Sequence, residues 1–265
     1  MKIGVTGCTS EIGERVCERI AASGFELLRI GRNETIKWEF GERLPDLELD
    51  FLIHLAHDRD LQEKEFSFAT ELLLKSVSKR AFLIYLSSTS AHSAAISNYG
   101  KSKYIGERMV TNAGGTVVKS GLIYQNGGLS RAGILGTVLS IVQQFPIIPL
   151  PYRGKSAFYM TEIDALSRFI VECIMNKTPG VFRAFSQEVI TFSILIGHVA
   201  EQLGKKRRVI PISDRLTKAL LVPIAKSFGS KGAMDSFLSL SSEISKTEIG
   251  ALITPKIEFP DFKVS

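Results

Sequence analysis

The sequence predicts an α/β protein built on a doubly wound parallel sheet, followed by a smaller, mostly helical C-terminal lobe. Two observations predict the sheet. Short, continuous apolar runs alternate with helical patterns through the first half of the chain, as strands buried on both faces do. A glycine-rich turn joins the first run to the first helix. A third observation predicts the lobe: beyond about residue 125 the alternation loses its regularity and helical patterns prevail.

Residues 2–6 form the first strand, closed by the turn Gly7-Cys8-Thr9-Ser10-Glu11-Ile12-Gly13. Ile12, Val16 and Ile20 recur at i, i+4 and i+8, one face of a helix that ends near Gly24. Residues 25–30 make a second strand and 35–40 a short third. DFLIHLA at 50–56 is a fourth strand, followed by a helix over 61–78. AFLIYL at 81–86 is a fifth, followed by a helix over 100–111, and 116–119 is a sixth. In the second half, Gly127 and Gly128 open a helical stretch to Gln144, and a proline-rich segment occupies 145–151. Helices over 164–175 and 192–203 flank a strand near 180–185. From Asp214 the chain reads as helical and ends in an extended tail.

Composition excludes several classes. A chain of 265 residues, 45% hydrophobic and 23% charged, is neither disordered, collagenous nor a coiled coil. No apolar run reaches the ~18 residues of a membrane span, and the N-terminus lacks the apolar stretch of a signal peptide. Cys8, Cys17 and Cys173 form no CxxC or Cys/His cluster, so reduced thiols in a cytoplasmic protein without a metal are expected. The net charge of +6 favours anionic ligands. The 33 Lys and Arg are scattered, and the one run, 205–208, reads as a solvated turn before a strand-like 209–211, so neither nucleic acid nor membrane is expected as a partner.

The glycine turn lies where backbone N–H groups and a helix N-terminus hold a pyrophosphate. Gly7 permits the tight turn and Gly13 the close packing of helix on strand, while Ser10 stands where a middle glycine is usual. Thr9, Glu11 and Ile12 complete the expected cradle, and Cys8 is read as a small side chain lining it. At the end of the second strand, Gly31-Arg32-Asn33 offers no carboxylate to ribose hydroxyls; Arg32 is instead a planar cation suited to a 2′-phosphate. NADP is therefore expected, with NAD the alternative. The expected division is a dinucleotide-binding Rossmann domain over 1–125, with 164–190 packing back onto it, and a substrate-binding lobe from 126–163 and 191–265.

Tyr99-Gly100-Lys101-Ser102-Lys103 opens a helix, and a spacing of four puts Tyr99 and Lys103 on one face. Free tyrosine titrates near about 10, and a neighbouring ammonium brings the phenol toward the working range of a general acid or base. Leu86-Ser87-Ser88-Thr89-Ser90 ends the fifth strand at the carboxyl edge of the sheet, where α/β proteins bind ligands.

These segments resemble the extended short-chain dehydrogenase/reductase superfamily, the NAD(P)-dependent epimerase/dehydratase group. The resemblance rests on VTGCTSEIG at 5–13, DFLIHLAH at 50–57, YLSSTS at 85–90, YGKSK at 99–103, VVKSGLIY at 117–124 and YMTEIDAL at 159–166. It implies Tyr99 as general acid/base, Lys103 as the residue that positions the nicotinamide ribose and lowers the tyrosine pKa, and Thr89 (alternatively Ser88) as the hydroxyl that binds the reacting oxygen. It implies Leu55, Ala56 and His57 beside the cofactor, Leu122 at its nicotinamide end, and a homodimer, common among such proteins. His57 and His92 also read as loop or packing histidines.

The sequence departs from that group in informative ways. Ser90-Ala91-His92 follow Thr89 where dehydratases and decarboxylases carry an acid, so those eliminations are not expected. Ala157 stands where sugar epimerases often have an arginine for the nucleotide diphosphate; Arg153 or Lys155 is the substitute, with His92 beside them in the substrate site. Lys119 replaces a common arginine. The expected function is hydride transfer on a carbohydrate-like, anionic, nucleotide-activated substrate, leaning to NADPH-dependent ketosugar reduction. The alternatives are a C4-type epimerase that retains its cofactor and a non-catalytic dinucleotide-binding sensor.

Overall fold

The computed structural model describes residues 1–58, 61–77, 80–125, 133–150, 157–213, 216 and 246–262. Its centre is a six-stranded sheet in the order β2-β1-β3-β4-β5-β9. The strands are β1 (Lys2–Thr6), β2 (Glu26–Ile30), β3 (Phe51–His54), β4 (Phe82–Ser88), β5 (Thr116–Ser120) and β9 (Gly180–Ala184). Every pairing is parallel.

Alternation along the strands sorts their side chains between two helical layers. Ile3, Val5, Phe51, Ile53, Ile84 and Leu86 share one core with Ile12, Val16 and Ile20 of α1 (Glu11–Ala22) and Leu166, Phe169 and Ile170 of α5 (Ile163–Asn176). On the opposite face Leu52 meets Leu73 of α2 (Glu63–Ser76), and Tyr85 and Val117 meet Val110 of α3 (Asn98–Asn112). Helix α1 packs against α5, and α2 against α3. The 21 buried members of the first core alone mark it as the larger of the two layers.

One expectation fails in this half. No strand forms over 35–40; the segment makes isolated bridges, Ile30 to Ile36 and Phe40 to Glu42. The Gly31 N–H donates to the Ile36 carbonyl and the Trp38 N–H to the Gly31 carbonyl, folding the chain back on the end of β2. Its apolar residues cover the sheet as a loop, with Trp38, Leu44 and Leu49 packed on Ile30 and Leu52. Helix α5 starts one residue ahead of the expected 164. Glu162 caps α5, accepting from the Asp164 and Ala165 N–H groups, and the Asp164 carboxylate reaches Arg19 of α1 at 3.3 Å.

The second half carries two small sheets beside its helices. β6 (Leu122–Tyr124), β8 (Ala157–Glu162) and β10 (Val189–Thr191) pair in the order β10-β8-β6, and β7 (Ile147–Leu150) pairs with β11 (Arg208–Pro211). Helix α4 (Gly133–Gln144) lies on α6 (Phe192–Gln202) around Val138, Val142, Leu195 and Val199. The chain closes with a short helix over Lys246–Gly250 and an irregular tail whose Phe262 packs on Tyr124 and His198. Most of the segment from Asp214 expected to be helical lies outside the described residues. Among the described residues no helix is long and apolar enough to cross a membrane, and Cys8, Cys17 and Cys173 are free and buried.

Candidate active site

Because the strands run parallel, the segments after β1, β3, β4 and β5 all emerge at one edge of the sheet. Gly7, Leu55–His57, Ser88–Thr89 and Gly121 therefore face a common region.

The turn after β1 is shaped by missing side chains. Gly7 has φ +76°, and a Cβ there stands 2.7 Å from the Ala56 backbone nitrogen. A Cβ on Gly13 would collide with the Gly7 carbonyl and the Cys8 Cα. Ser10 caps α1: its Oγ accepts from the Gly13 N–H at 3.1 Å and donates to the Gly7 carbonyl at 2.7 Å. The serine thus does with a hydroxyl what holds the turn closed. Thr9 and Ser10 are exposed, Glu11 is half-buried at the opening of α1, and Ile12 enters the core. The Cys8 thiol is buried beneath the turn and donates to the Val5 carbonyl at 2.9 Å.

Past the end of β2, Arg29 holds the Glu34 carboxylate at 2.8 and 3.0 Å. That guanidinium pulls the Glu34 carboxyl below the usual range. Arg32, 74% exposed at its side chain, makes only a 3.4 Å contact to Glu39, and Asn33 beside it is exposed. The arrangement leaves an exposed guanidinium beside a carboxylate already engaged by Arg29.

The helix bearing Tyr99 starts beside the hydroxyl turn. Ser97 caps α3 through the Gly100 N–H at 2.9 Å, and Gly100 has no Cβ to strike the Ser90 carbonyl. Asn98 donates to the Leu61 carbonyl at 2.8 Å, tying the same turn to the approach to α2. Tyr99 is half-buried, its ring edge-on to His57 at 4.8 Å, and His57 also touches Phe66 at 5.3 Å. Lys103, one turn on, is buried; its Nζ donates to the Leu86 carbonyl at 2.8 Å and lies 4.7 Å from the Tyr85 ring centre. Burial pulls the Lys103 ammonium down to about 7, against the opposing pull of Glu107. Ser88, Thr89 and Ser90 are half-buried in the turn itself, where the Thr89 N–H donates to the Ser120 carbonyl and the Ser90 N–H to the Ser88 Oγ.

The structure thus brings Gly7, Leu55, Ala56, His57, Ser88, Thr89, Tyr99 and Lys103 to one edge. Leu122 opens β6 at that edge, half-buried, and packs toward the second core. His92 is buried below the turn, 3% exposed, where it has little surface to offer a substrate. Arg153 and Lys155 lie outside the described residues.

No family model matches the sequence, and no curated protein matches it. Solved structures do. A dTDP-4-dehydrorhamnose reductase from Clostridium acetobutylicum superposes with a TM-score of 0.66 at 15% identity, over 80% of this chain and 84% of that one. A dTDP-4-dehydrorhamnose reductase from Bacillus anthracis in complex with NADP gives 0.62 at 16%, over 81% and 85%. A UDP-glucuronic acid 4-epimerase variant from Bacillus cereus in complex with NAD gives 0.62 at 16%, over 80% and 86%. The chain shares the Rossmann-like α/β fold of these structures. Within that fold, the edge that gathers Gly7, Thr89, Tyr99 and Lys103 is the carboxyl edge of a parallel sheet, the usual place for a ligand in open α/β proteins.

Sequence reasoning missed one group in this region. Ser87, Glu107 and Lys119 are buried together behind the hydroxyl turn: the Ser87 Oγ donates to the Glu107 Oε1 at 2.6 Å, and the Lys119 Nζ lies 3.1 Å from the same oxygen. Burial pushes the Glu107 carboxyl up, and Lys119, Ser87 and Lys103 pull it back. A lysine inside the apolar strand TVVKS was the available signal, because a buried cation requires a partner.

Proposed function

We propose that this protein is a nicotinamide-dinucleotide-dependent oxidoreductase acting on a nucleotide-activated sugar, and that it reduces a ketosugar with NADPH. One observation carries the reading: Tyr99 and Lys103 stand one turn apart on α3, against a hydroxyl-bearing turn and beside a glycine turn, with Lys103 held to the Leu86 carbonyl. The likeness to a reductase in complex with NADP supports the choice of reaction and cofactor. In this reading residues 1–125 bind the dinucleotide, with 164–190 packed onto them, and 126–163 with 191–265 form the substrate lobe.

The cofactor supplies the hydride when bound; the chain supplies everything else. Gly7, Thr9, Ser10, Glu11, Ile12 and Gly13 would cradle its pyrophosphate, Arg32 and Asn33 would hold a 2′-phosphate, and Leu55, Ala56, His57 and Leu122 would flank the remainder. Thr89, with Ser88 in reserve, donates a hydrogen bond to the ketone oxygen. Tyr99 gives that oxygen a proton as carbon gains hydride, so the ketone becomes an alcohol. The Lys103 ammonium stabilises the phenolate left behind, one helical turn away. Arg153 or Lys155 meets the diphosphate of an anionic substrate.

A second reading, a 4-epimerase that keeps its cofactor, draws on the equal likeness to an epimerase in complex with NAD. Mass spectrometry of the small molecules released on denaturing the purified protein separates the two. Dinucleotide at about one per chain favours the epimerase. An empty protein that binds NADPH far better than NADH, and oxidises it with dTDP-4-dehydrorhamnose, favours the reductase. Tyr99→Phe is then expected to lower kcat by about 10³-fold with cofactor affinity intact. Retention of full turnover by that variant rules out Tyr99 as the proton donor.

A further inference from the structure

The turn after β4 is held from behind by a buried ion pair that the reaction outlined above does not use. The Lys119 Nζ, on β5, donates to the Ala91 carbonyl at 2.5 Å and lies 3.1 Å from the Glu107 Oε1 on α3. Lys119 and Glu107 are 4% and 5% exposed, so neither charge is relieved by water. The same Glu107 oxygen takes the Ser87 hydroxyl at 2.6 Å, which fixes the carboxylate against β4. The next residue on β5, Ser120, completes the frame: its carbonyl accepts from the Thr89 N–H at 2.7 Å and its Oγ donates to the Ser87 carbonyl at 3.0 Å.

One ammonium therefore joins three elements: the strand it stands on, the turn that carries Thr89, and the helix that carries Tyr99 and Lys103. A buried pair of this kind often adds little net stability compared with apolar side chains of the same volume. Its bonds have direction, however, and here they run along the line between the hydroxyl turn and the helix. Removing the Nζ while keeping the volume leaves the buried Ala91 carbonyl unpaired, and relief of that carbonyl requires the turn to shift.

We propose that Lys119 is a positioning residue: by bridging Glu107 and the Ala91 carbonyl it sets the separation of the Thr89 turn from the helix that carries Tyr99. The role in catalysis rests on the oxidoreductase reading; the clamp itself does not.

Two readouts separate these. The single variant Lys119→Met leaves Glu107 buried without its cation and is prone to unfold, so the informative variant is Lys119→Met combined with Glu107→Gln, in which the Ser87 bond persists. In the full-length protein with NADPH and dTDP-4-dehydrorhamnose, this double variant is expected to lose kcat by about 30- to 100-fold, the cost of an ångström-scale misplacement. NADPH affinity and sugar KM are expected to stay within about threefold, and Lys119→Arg, whose guanidinium reaches both acceptors, to recover most of the rate. Amide hydrogen exchange in peptides covering 87–93 is expected to rise by about tenfold in the double variant and not in Lys119→Arg. A folded double variant with wild-type kcat overturns the proposal, whatever the exchange shows. Should the wild-type protein reduce no ketosugar, the oxidoreductase reading falls by itself; unchanged exchange over 87–93 then overturns the clamp as well, and raised exchange upholds it.

Discussion

The glycine turn after β1 and the buried cluster behind the turn after β4 sit at the same edge of one sheet, yet they are built in opposite ways. The first is made by atoms that are absent: Gly7 and Gly13 leave room for backbone to touch backbone, and the Ser10 side chain bonds only to Gly7 and Gly13. The second is made by polar groups that are present, the charges of Glu107 and Lys119 with the Ser87 hydroxyl and the Ala91 carbonyl, on separate elements. A site of the first kind breaks when volume is added and is indifferent to charge. One of the second kind accepts changes of volume and breaks when a single charge is removed.

The largest expected effect lies in the charged cluster. Glu107→Ala strands Lys119 in the interior, and uncovering one partner of a buried pair costs about 3–5 kcal/mol. Urea denaturation is expected to show that loss, and to show part of it recovered when Lys119→Met is added, the unpaired Ala91 carbonyl keeping the rest. Equal destabilisation of the single and double variants would mean that the side chains matter as filler and not as a pair. In the glycine turn, Gly13→Ala introduces a methyl against the Gly7 carbonyl, an overpacking that costs about 1–3 kcal/mol. Its signature is different: weaker NADPH binding, measured by fluorescence titration, with no dependence on pH or salt.

These opposite constructions also explain what was legible in the sequence. The glycine turn announces itself because its cause is local, within seven consecutive residues after an apolar strand. Tyr99 and Lys103 are legible for the same reason, being one turn apart on a helix. Glu107 is one turn further on the same face, yet a helix reading Asn98–Asn112 with a weak apolar stripe places its charges in solvent; only the fold shows that Lys103 and Glu107 are inside. Lys119 was noticed as a substitute for arginine and its partner was not, since 12 positions of sequence separate it from Glu107 and no pattern links a helix residue to the next strand. The small sheets of the second half failed for a similar reason. β7 carries Pro149 inside the proline-rich segment and does not read as a strand, and its partner β11, which reads as strand-like over 209–211, lies about sixty residues away, so nothing local links the two. The opposite error, a strand at 35–40, came from residues with high β propensity whose hydrogen bonds fold back onto the end of β2.

Between the two regions lies His54, which sharpens the contrast because it is charge-sensitive within an otherwise apolar strand. Its Nδ1 is 2.7 Å from the Thr6 Oγ, its ring stacks on Tyr85, and burial, with Lys103 nearby, lowers its pKa to about 3. The unfolded chain takes up the proton near 6.5 and the folded one near 3, so in that window the unfolded state holds the extra proton. Stability is therefore lost as pH falls from about 6.5, by roughly 2 kcal/mol at pH 5. His54→Gln, which cannot titrate, is expected to lose less stability than the wild type between pH 7 and pH 5, by about that amount. Parallel losses in the two proteins would show that other groups govern the acid limb.

The smallest effect tests the division from inside the glycine turn. Ser10 and Ser97 are matched caps, each accepting from the N–H three residues on, at 3.1 and 2.9 Å, on the two helices that bracket the site. Replacing either by alanine costs about 1 kcal/mol. Their consequences for binding are expected to differ. Ser10 also donates to the Gly7 carbonyl, so Ser10→Ala loosens the turn itself and weakens NADPH binding, whereas Ser97→Ala frays the start of α3 and lowers kcat while the cofactor still binds. Titration and turnover of the two variants side by side check this. If Ser97→Ala impairs binding as much as Ser10→Ala does, the two regions are not separately held, and the frame from Lys119 through Ala91 carries strain from one to the other.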